Sequence, residues 1–485
     1  MAGRVGVPAS LRRWPSHAGP LGVSIVLSRA RVVLIASAIV CGLVGVVVAP
    51  ADGARAAVRP PAVLAGPDAA DPATGAHLPG PARVVTQLRD ARVSDSALRG
   101  TSPVALLAAL PELDVPELRR LAGAIPATVR EVIRRPPAVS GVASWWARLA
   151  PDERRSLAEA MPELVGNLEG IPFDVRDAAN RRFLDQREGE LHAAAARTAG
   201  RGAQQALGRD LRMLAEVREA LVPEAAGPAR SLLTLDAVWP GRAAVVMGDL
   251  ATAAYVDLVV PGMYYPVSDR LVDWTEVTAR LQATQTTLLG TGARTSGGVA
   301  AVAWIGYRTP DLPGIATLAL AEEGAERLQD AIQGIQGVRR DDPPHLTVIA
   351  HSYGSTAAML ALSSGRASVD ALAVVGSPGG AVRDASQLDV PEGRVFVGEA
   401  PWDPVVGSSL FGQDPGSASF GAELFGVGGT GGQAGVSADG DLAGAVGHNS
   451  YFDRGTESFR NLALIGIDRP VASPGAADAP DARER

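Results

Sequence analysis

Residues 346–354 read Leu-Thr-Val-Ile-Ala-His-Ser-Tyr-Gly, a β-branched apolar run that leads to a serine with a small residue two positions away on either side. The apolar helical stretch Ser355–Leu362 follows at once. Strand, tight turn and helix in that order are the setting of the G-x-S-x-G nucleophile elbow, whose turn strains the serine backbone and lifts its hydroxyl out at the carboxyl end of a sheet. Here Ala350 stands for the first glycine and Gly354 is the last. Both positions must be small because strand and helix nearly touch there. The stretch predicts Ser352 as a nucleophile; an ordinary βα turn in a parallel sheet is the alternative that five residues alone leave open.

Outward from the turn, short β-branched runs occur at Leu232–Val238, Ala243–Met247, Ala254–Val260, Val299–Ile305, Leu346–Ala350, Ala371–Val375 and Val395–Val397. Helical stretches separate the later ones, at Trp274–Leu289, Ile315–Gln336 and Ser355–Leu362. Adjacent strands followed by β-α-β alternation predict an α/β fold: a mostly parallel sheet with helices on both faces and an antiparallel start. Before it, residues 84–228 carry helical periodicity, punctuated by Pro126, Pro137, Pro162 and Pro172. Within this helical region, Pro162–Pro172 reads either as a lid over the site or as a brace against the sheet, with the turn-forming prolines and glycines favouring the brace. The expected organisation is a signal peptide or membrane anchor at 1–50, a Pro/Ala-rich disordered linker at 51–83, the helical region at 84–228, an alpha/beta-hydrolase catalytic domain at 229–470 and a disordered tail at 471–485.

A serine hydroxyl needs a base, and the base needs a carboxylate to orient it. On this fold the chain order is serine, acid, histidine. His17, His77, His192 and His345 precede Ser352, and His351 is its neighbour, expected to point away. His448 alone follows, in Gly447-His-Asn-Ser-Tyr-Phe-Asp453. The acid should follow the strand near 395, where Glu399-Ala-Pro-Trp-Asp-Pro404 begins. Asp403 is the choice, with Glu399 and then Asp414 as rivals. For the oxyanion, the backbone N–H of Tyr353 is one expected donor and that of Met263, in Val259-Val-Pro-Gly-Met263, is the other. Tyr264 and Tyr265 would then line the pocket mouth and favour an apolar or acyl-bearing substrate.

Composition excludes other chemistries. The 45 basic residues are all arginine, so no lysine offers a Schiff base or a Ser–Lys pair. Net charge is −7 and no arginine stripe lies outside the amino terminus, which argues against nucleic acid as a partner. The single cysteine, Cys41, lies in an apolar run, and no histidine pair has zinc-ligand spacing, so no metal or cofactor is expected. Val32–Ala49 is uncharged and follows Arg29 and Arg31, with further arginines upstream. Such a segment addresses a chain to the membrane, as a cleaved signal or an uncleaved anchor, and the expected location is the extracellular face of the cytoplasmic membrane or beyond it.

Trp145-Trp146, Pro162–Pro172, Arg176, Ala179-Asn-Arg181, Gly248-Asp249, Val260-Pro-Gly-Met263, Ala303-Trp-Ile-Gly-Tyr307, the elbow to Thr356, Gly376-Ser-Pro-Gly379 and His448-Asn-Ser-Tyr-Phe-Asp453 together span roughly 140–465. In these stretches the chain resembles the actinobacterial alpha/beta-hydrolase family of the DUF1023 type. The resemblance implies a serine-hydrolase fold with Ser352, Asp403 and His448 as triad, and little about substrate. Two departures stand out: Ala350 at the elbow, and 13 glycines among the 44 residues between Asp403 and His448, with only Glu423–Val427 as a faint last strand. The functional expectation is a serine hydrolase, esterase- or lipase-like, acting on a small-molecule or lipid-like acyl substrate through an acyl-enzyme. An acyltransferase using the same triad, or a non-catalytic cell-envelope binding protein on the same fold, are the alternatives.

Overall fold

A computed structural model describes residues 81–471 apart from 225–226, 291–296, 312–313, 315–316 and 431–440, together with 473–474. The apolar run 32–49, and with it the expectation of a signal or anchor, lies outside the described residues. Among those described, no helix is long and apolar enough to cross a membrane.

Among the described residues, eight strands form one sheet in the order β1-β2-β4-β3-β5-β6-β7-β8. They are β1 (Arg230–Asp236), β2 (Arg242–Met247), β3 (Tyr255–Val260), β4 (Val299–Ile305), β5 (His345–His351), β6 (Ala371–Val375), β7 (Val395–Gly398) and β8 (Glu423–Leu424). β2 runs antiparallel to both β1 and β4, and every other pairing is parallel. The sheet is therefore mostly parallel with the expected antiparallel start. β4 and β6 are buried at every residue, the mark of strands covered on both faces.

Two hydrophobic layers flank the sheet. One holds Leu328, Ile332, Tyr353 and Leu362 against Val302, Val348 and Leu372; the other holds Leu214, Trp274 and Leu462 against Val245, Ile349 and Ala373. These side chains come from helices at Ala319–Val338 and Tyr353–Leu362 on one face, and Arg201–Ala220, Val267–Leu289 and Glu457–Gly466 on the other. Residues alternate between the layers along each strand, so the two-residue side-chain period of the sheet builds both cores at once.

The amino-terminal helices start where proline is tolerated, in the first turn whose N–H groups have no intrahelical acceptor. Pro81, Pro103, Pro126, Pro151 and Pro162 each open one. The helix at Pro81 begins inside the stretch expected as linker. These helices have a core of their own, centred on Leu106, Leu121, Trp146 and Leu164, yet they belong with the sheet to one compact unit.

Pro162–Pro172 runs along β1 at the edge of the sheet. Asn167 both accepts from the Leu235 N–H (2.9 Å) and donates to the Leu235 carbonyl (3.0 Å). Asp177 accepts from the Leu232 N–H and Asn180 donates to the Leu232 carbonyl. Arg176, buried and ion-paired with Glu169, ties the turn to the next helix. The open edge of a sheet is a liability, and polar side chains here satisfy it. The segment is a brace, four strands away from Ser352 in the sheet order.

β8 is shorter than the expected Glu423–Val427. Gly426, Gly428 and Gly429 follow it, and Gly429 takes φ +98°, which ends the extended backbone. Other boundaries shift by a few residues: the helix expected from Trp274 starts at Val267, behind Pro266, and the one expected from Ile315 starts at Ala319.

Candidate active site

Ser352 sits between the end of β5 and the first residue of the following helix with φ +55° and ψ −132°, a conformation that a side chain disfavours. Packing enforces it. A Cβ on Gly354 would fall 2.4 Å from the Pro261 carbonyl oxygen, and one on Gly262 would fall 2.6 Å from Ser352 Cβ. Ala350 is fully buried and pairs with Val260 and Val374 in the sheet, so its methyl group is accommodated where the elbow pattern has glycine. Ser355 donates to the Ser352 carbonyl (2.6 Å), and Thr356 donates to the Gly379 carbonyl (2.8 Å). The turn is thus pinned on both sides.

His448 reaches the serine from the loop before the last helix. Its Nε2 lies 2.8 Å from Ser352 Oγ, and its Nδ1 lies 3.0 Å from each Asp403 oxygen. A carboxylate only accepts, so Nδ1 carries the proton and Nε2 accepts from the serine hydroxyl. Asp403 follows β7 in the sequence and its side chain is fully buried. Burial alone would raise its carboxyl. Hydrogen bonds from His448, from the Tyr451 hydroxyl (2.7 Å) and from the Val405 N–H (2.9 Å) outweigh that and hold it below the ordinary aspartate range.

The structure thus brings Ser352, His448 and Asp403 into one hydrogen-bonded line and keeps the rival acids apart from it. Glu399 is hydrogen-bonded to Asp414 instead; burial first, then the charges of Asp414 and Asp403, push its carboxyl up to about 8.

The loop carrying Met263 lies against the serine through Gly262, and Tyr307, buried, donates to its Pro261 carbonyl (2.8 Å). The Tyr353 amide opens its helix, where N–H groups have no intrahelical acceptor. Tyr264 has a left-handed backbone (φ +59°) and is exposed. Tyr265 turns inward, its ring edge-on to Trp274 at 5.0 Å. Of the two tyrosines expected at the mouth, only Tyr264 is exposed. Among the described residues no group of three or more His, Cys, Asp or Glu is arranged to hold a metal.

Several contributors were not assigned from sequence. Tyr451 lies within the quoted His448–Asp453 stretch, yet its hydroxyl links Asp403 to the Ala400 N–H (2.9 Å). Gly376, at φ +59°, lies under the Asp403–His448 pair: a Cβ there would meet Asp403 Oδ2 at 2.9 Å and His448 Nδ1 at 3.1 Å. Trp402 precedes Asp403 in a left-handed conformation (φ +61°) and is 89% exposed.

A mostly parallel eight-stranded sheet, a strained serine after its central strand, and acid and histidine supplied by later loops define the alpha/beta hydrolase class. Residues 236–412 match that family, alpha/beta hydrolase. The uncharacterized protein Rv0963c of Mycobacterium tuberculosis is 33% identical over 192 residues, which cover 39% of this chain and 72% of that protein. The chain belongs to the alpha/beta hydrolase family. The uncharacterized protein Rv2079 of the same organism is 28% identical over 409 residues, 73% of this chain; the match spans 60% of that relative's length. A hyperthermophilic esterase from Pyrobaculum calidifontis aligns over 58% of this chain and 96% of its own, at 13% identity and a TM-score of 0.29, a likeness that adds nothing to the assignment.

Proposed function

We propose that this protein is a serine hydrolase that cleaves an ester or related acyl substrate through an acyl-enzyme. The observation that carries the reading is the line from Ser352 Oγ through His448 to Asp403, with spacings of 2.8 and 3.0 Å. In the proposed reaction Ser352 Oγ attacks the substrate carbonyl carbon while His448 Nε2 takes its proton. Asp403 holds the imidazole in the Nδ1–H tautomer and stabilises the imidazolium. The Tyr353 and Met263 amides receive the oxyanion. His448 returns the proton to the leaving alcohol as the carbonyl reforms. Water, deprotonated by the same nitrogen, then releases the acid and frees Ser352.

What supports an apolar acyl group is the setting of the site. Tyr264, Trp402, Leu410 and Val446 are large exposed hydrophobics, each on a loop adjoining it. The Gly447 N–H donates to the Pro401 carbonyl (2.9 Å), which keeps Val446 and Trp402 on neighbouring stretches, and Phe411 packs edge-on against Tyr353 at 5.3 Å. The motif resemblance supports a DUF1023-type assignment within that family, and the Arg-flanked apolar run 32–49 supports export to the outer face of the cytoplasmic membrane. A p-nitrophenyl ester series from acetate to palmitate tests the reading: the wild type should turn over at least the medium chains and Ser352→Ala none. Equal rates for the two proteins would overturn it.

A further inference from the structure

His351 closes β5 directly after the apolar run Val348–Ala350 and is almost fully buried, so it needs a reason to be polar. Its Nε2 lies 2.8 Å from the backbone oxygen of His448, and the two imidazole rings are 4.7 Å apart, tilted by 36°. A carbonyl cannot donate, so the His351 proton sits on Nε2 and the lone pair on Nδ1. That Nδ1 is buried without a partner. The bond to His448 is therefore the polar contact that accounts for the ring. His351 is also one link in a run of ring contacts beneath the site: Tyr265 to Trp274 (5.0 Å), Trp274 to Phe452 (5.3 Å), Phe452 to His351 (6.1 Å).

We infer that His351 is a positioning residue: its Nε2–H, given to the His448 carbonyl, fixes the loop that carries the base against the adjacent serine. This rests on the hydrolase reading for its catalytic consequence, not for the contact itself. The loop needs such a tie, because the 44 residues before His448 include 13 glycines, whose backbone loses the most conformational freedom on ordering. The ring faces His448, Asp403 and Tyr451, whose ring is 6.0 Å away. Burial first, and then His448, push its imidazole down to about 3, so it stays neutral while His448 cycles through its charged form. A second proton would lie on Nδ1, where no acceptor waits, and would oppose the imidazolium.

The test compares His351→Phe, which keeps the ring volume and loses the donor, with His351→Gln, whose amide N–H can reach the same carbonyl. Should His351→Phe not fold, His351→Met takes its place. With an ester that the wild type cleaves, His351→Phe should lower kcat about 10- to 100-fold with KM within about threefold. His351→Gln should recover most of the loss, with the acidic limb of its pH profile unmoved. Equal losses in both variants, no loss in His351→Phe, or a limb shifted by about half a unit or more would overturn the inference. If the wild type cleaves no ester and takes up no fluorophosphonate, the hydrolase reading fails and hydrogen exchange decides the contact. Amides of 446–452 should then exchange faster in His351→Phe and at the wild-type rate in His351→Gln; unchanged exchange in His351→Phe would overturn the tie.

Discussion

The turn of the proposed nucleophile and the loops that bring the proposed acid and base solve the same problem by opposite means. Residues 350–354 are contiguous, small and wedged between a strand and a helix, so local sequence and close packing alone set Ser352 in its strained conformation. Asp403 and His448 lie on long glycine-rich connections, and side chains distant in sequence hold them: Tyr451 on the acid, His351 on the loop of the base, Gly376 by making room. Steric constraint is cheap to encode in a short stretch. A hydrogen bond between loops requires the whole fold to be in place.

The comparison predicts the sharpest losses where a loop-borne group has no substitute. Asp403→Asn removes the acceptor that fixes the His448 tautomer and should lower kcat about 10³- to 10⁴-fold, as loss of the acid does in Ser-His-Asp enzymes. Glu399→Gln should stay within about threefold. The reverse pattern in ester turnover would make Glu399 the acid and break the assignment. Gly376→Ala comes next: its methyl group meets both Asp403 and His448 at a positive φ, so kcat should fall about 100-fold while the far-UV spectrum is kept.

Tyr451→Phe is milder. It leaves the Ala400 N–H without its acceptor and Asp403 without one donor, so about 1–3 kcal/mol of stability and roughly tenfold in kcat should be lost, read by urea unfolding and steady-state kinetics.

The smallest effect is on pH. Glu399 is held up to about 8 in the folded chain against 4.5 for a free glutamate. The folded state binds more protons than the unfolded one between those values, so this contribution is complete below about pH 4.5 and is lost as pH rises through 8. Glu399→Gln stays uncharged and should hold its melting temperature roughly 2–4 °C better than wild type at mildly alkaline pH. Parallel melting curves against pH would show that Glu399 carries no such burden.

The same contrast explains what could be read from the chain. The elbow was legible because strand, turn and helix are consecutive, and the sheet because its strands alternate with helices. That His448 meets Ser352 followed from chain order, since it is the one histidine after the serine, and that Asp403 meets His448 followed from its place after the seventh strand. The bond from Tyr451 to Asp403 spans 48 residues and that from His351 to His448 spans 97, and no periodicity records such meetings. Tyr265 looked like a mouth residue beside Tyr264, but Trp274 offers it an apolar surface and turns it inward. β8 looked longer because Phe425 and Val427 are apolar; the glycines between and after them end the strand, and both side chains go to the core instead.

The central claim is that Ser352 is activated by His448, and a fluorophosphonate reacts rapidly with a serine so activated. The folded wild-type protein, treated with the probe, digested and weighed, should carry one adduct on the peptide containing Ser352. The adduct should be absent from Ser352→Ala and form at least about 100-fold more slowly on His448→Ala. A folded wild-type protein that takes up no probe, or takes it up equally after Ser352→Ala, would contradict the account.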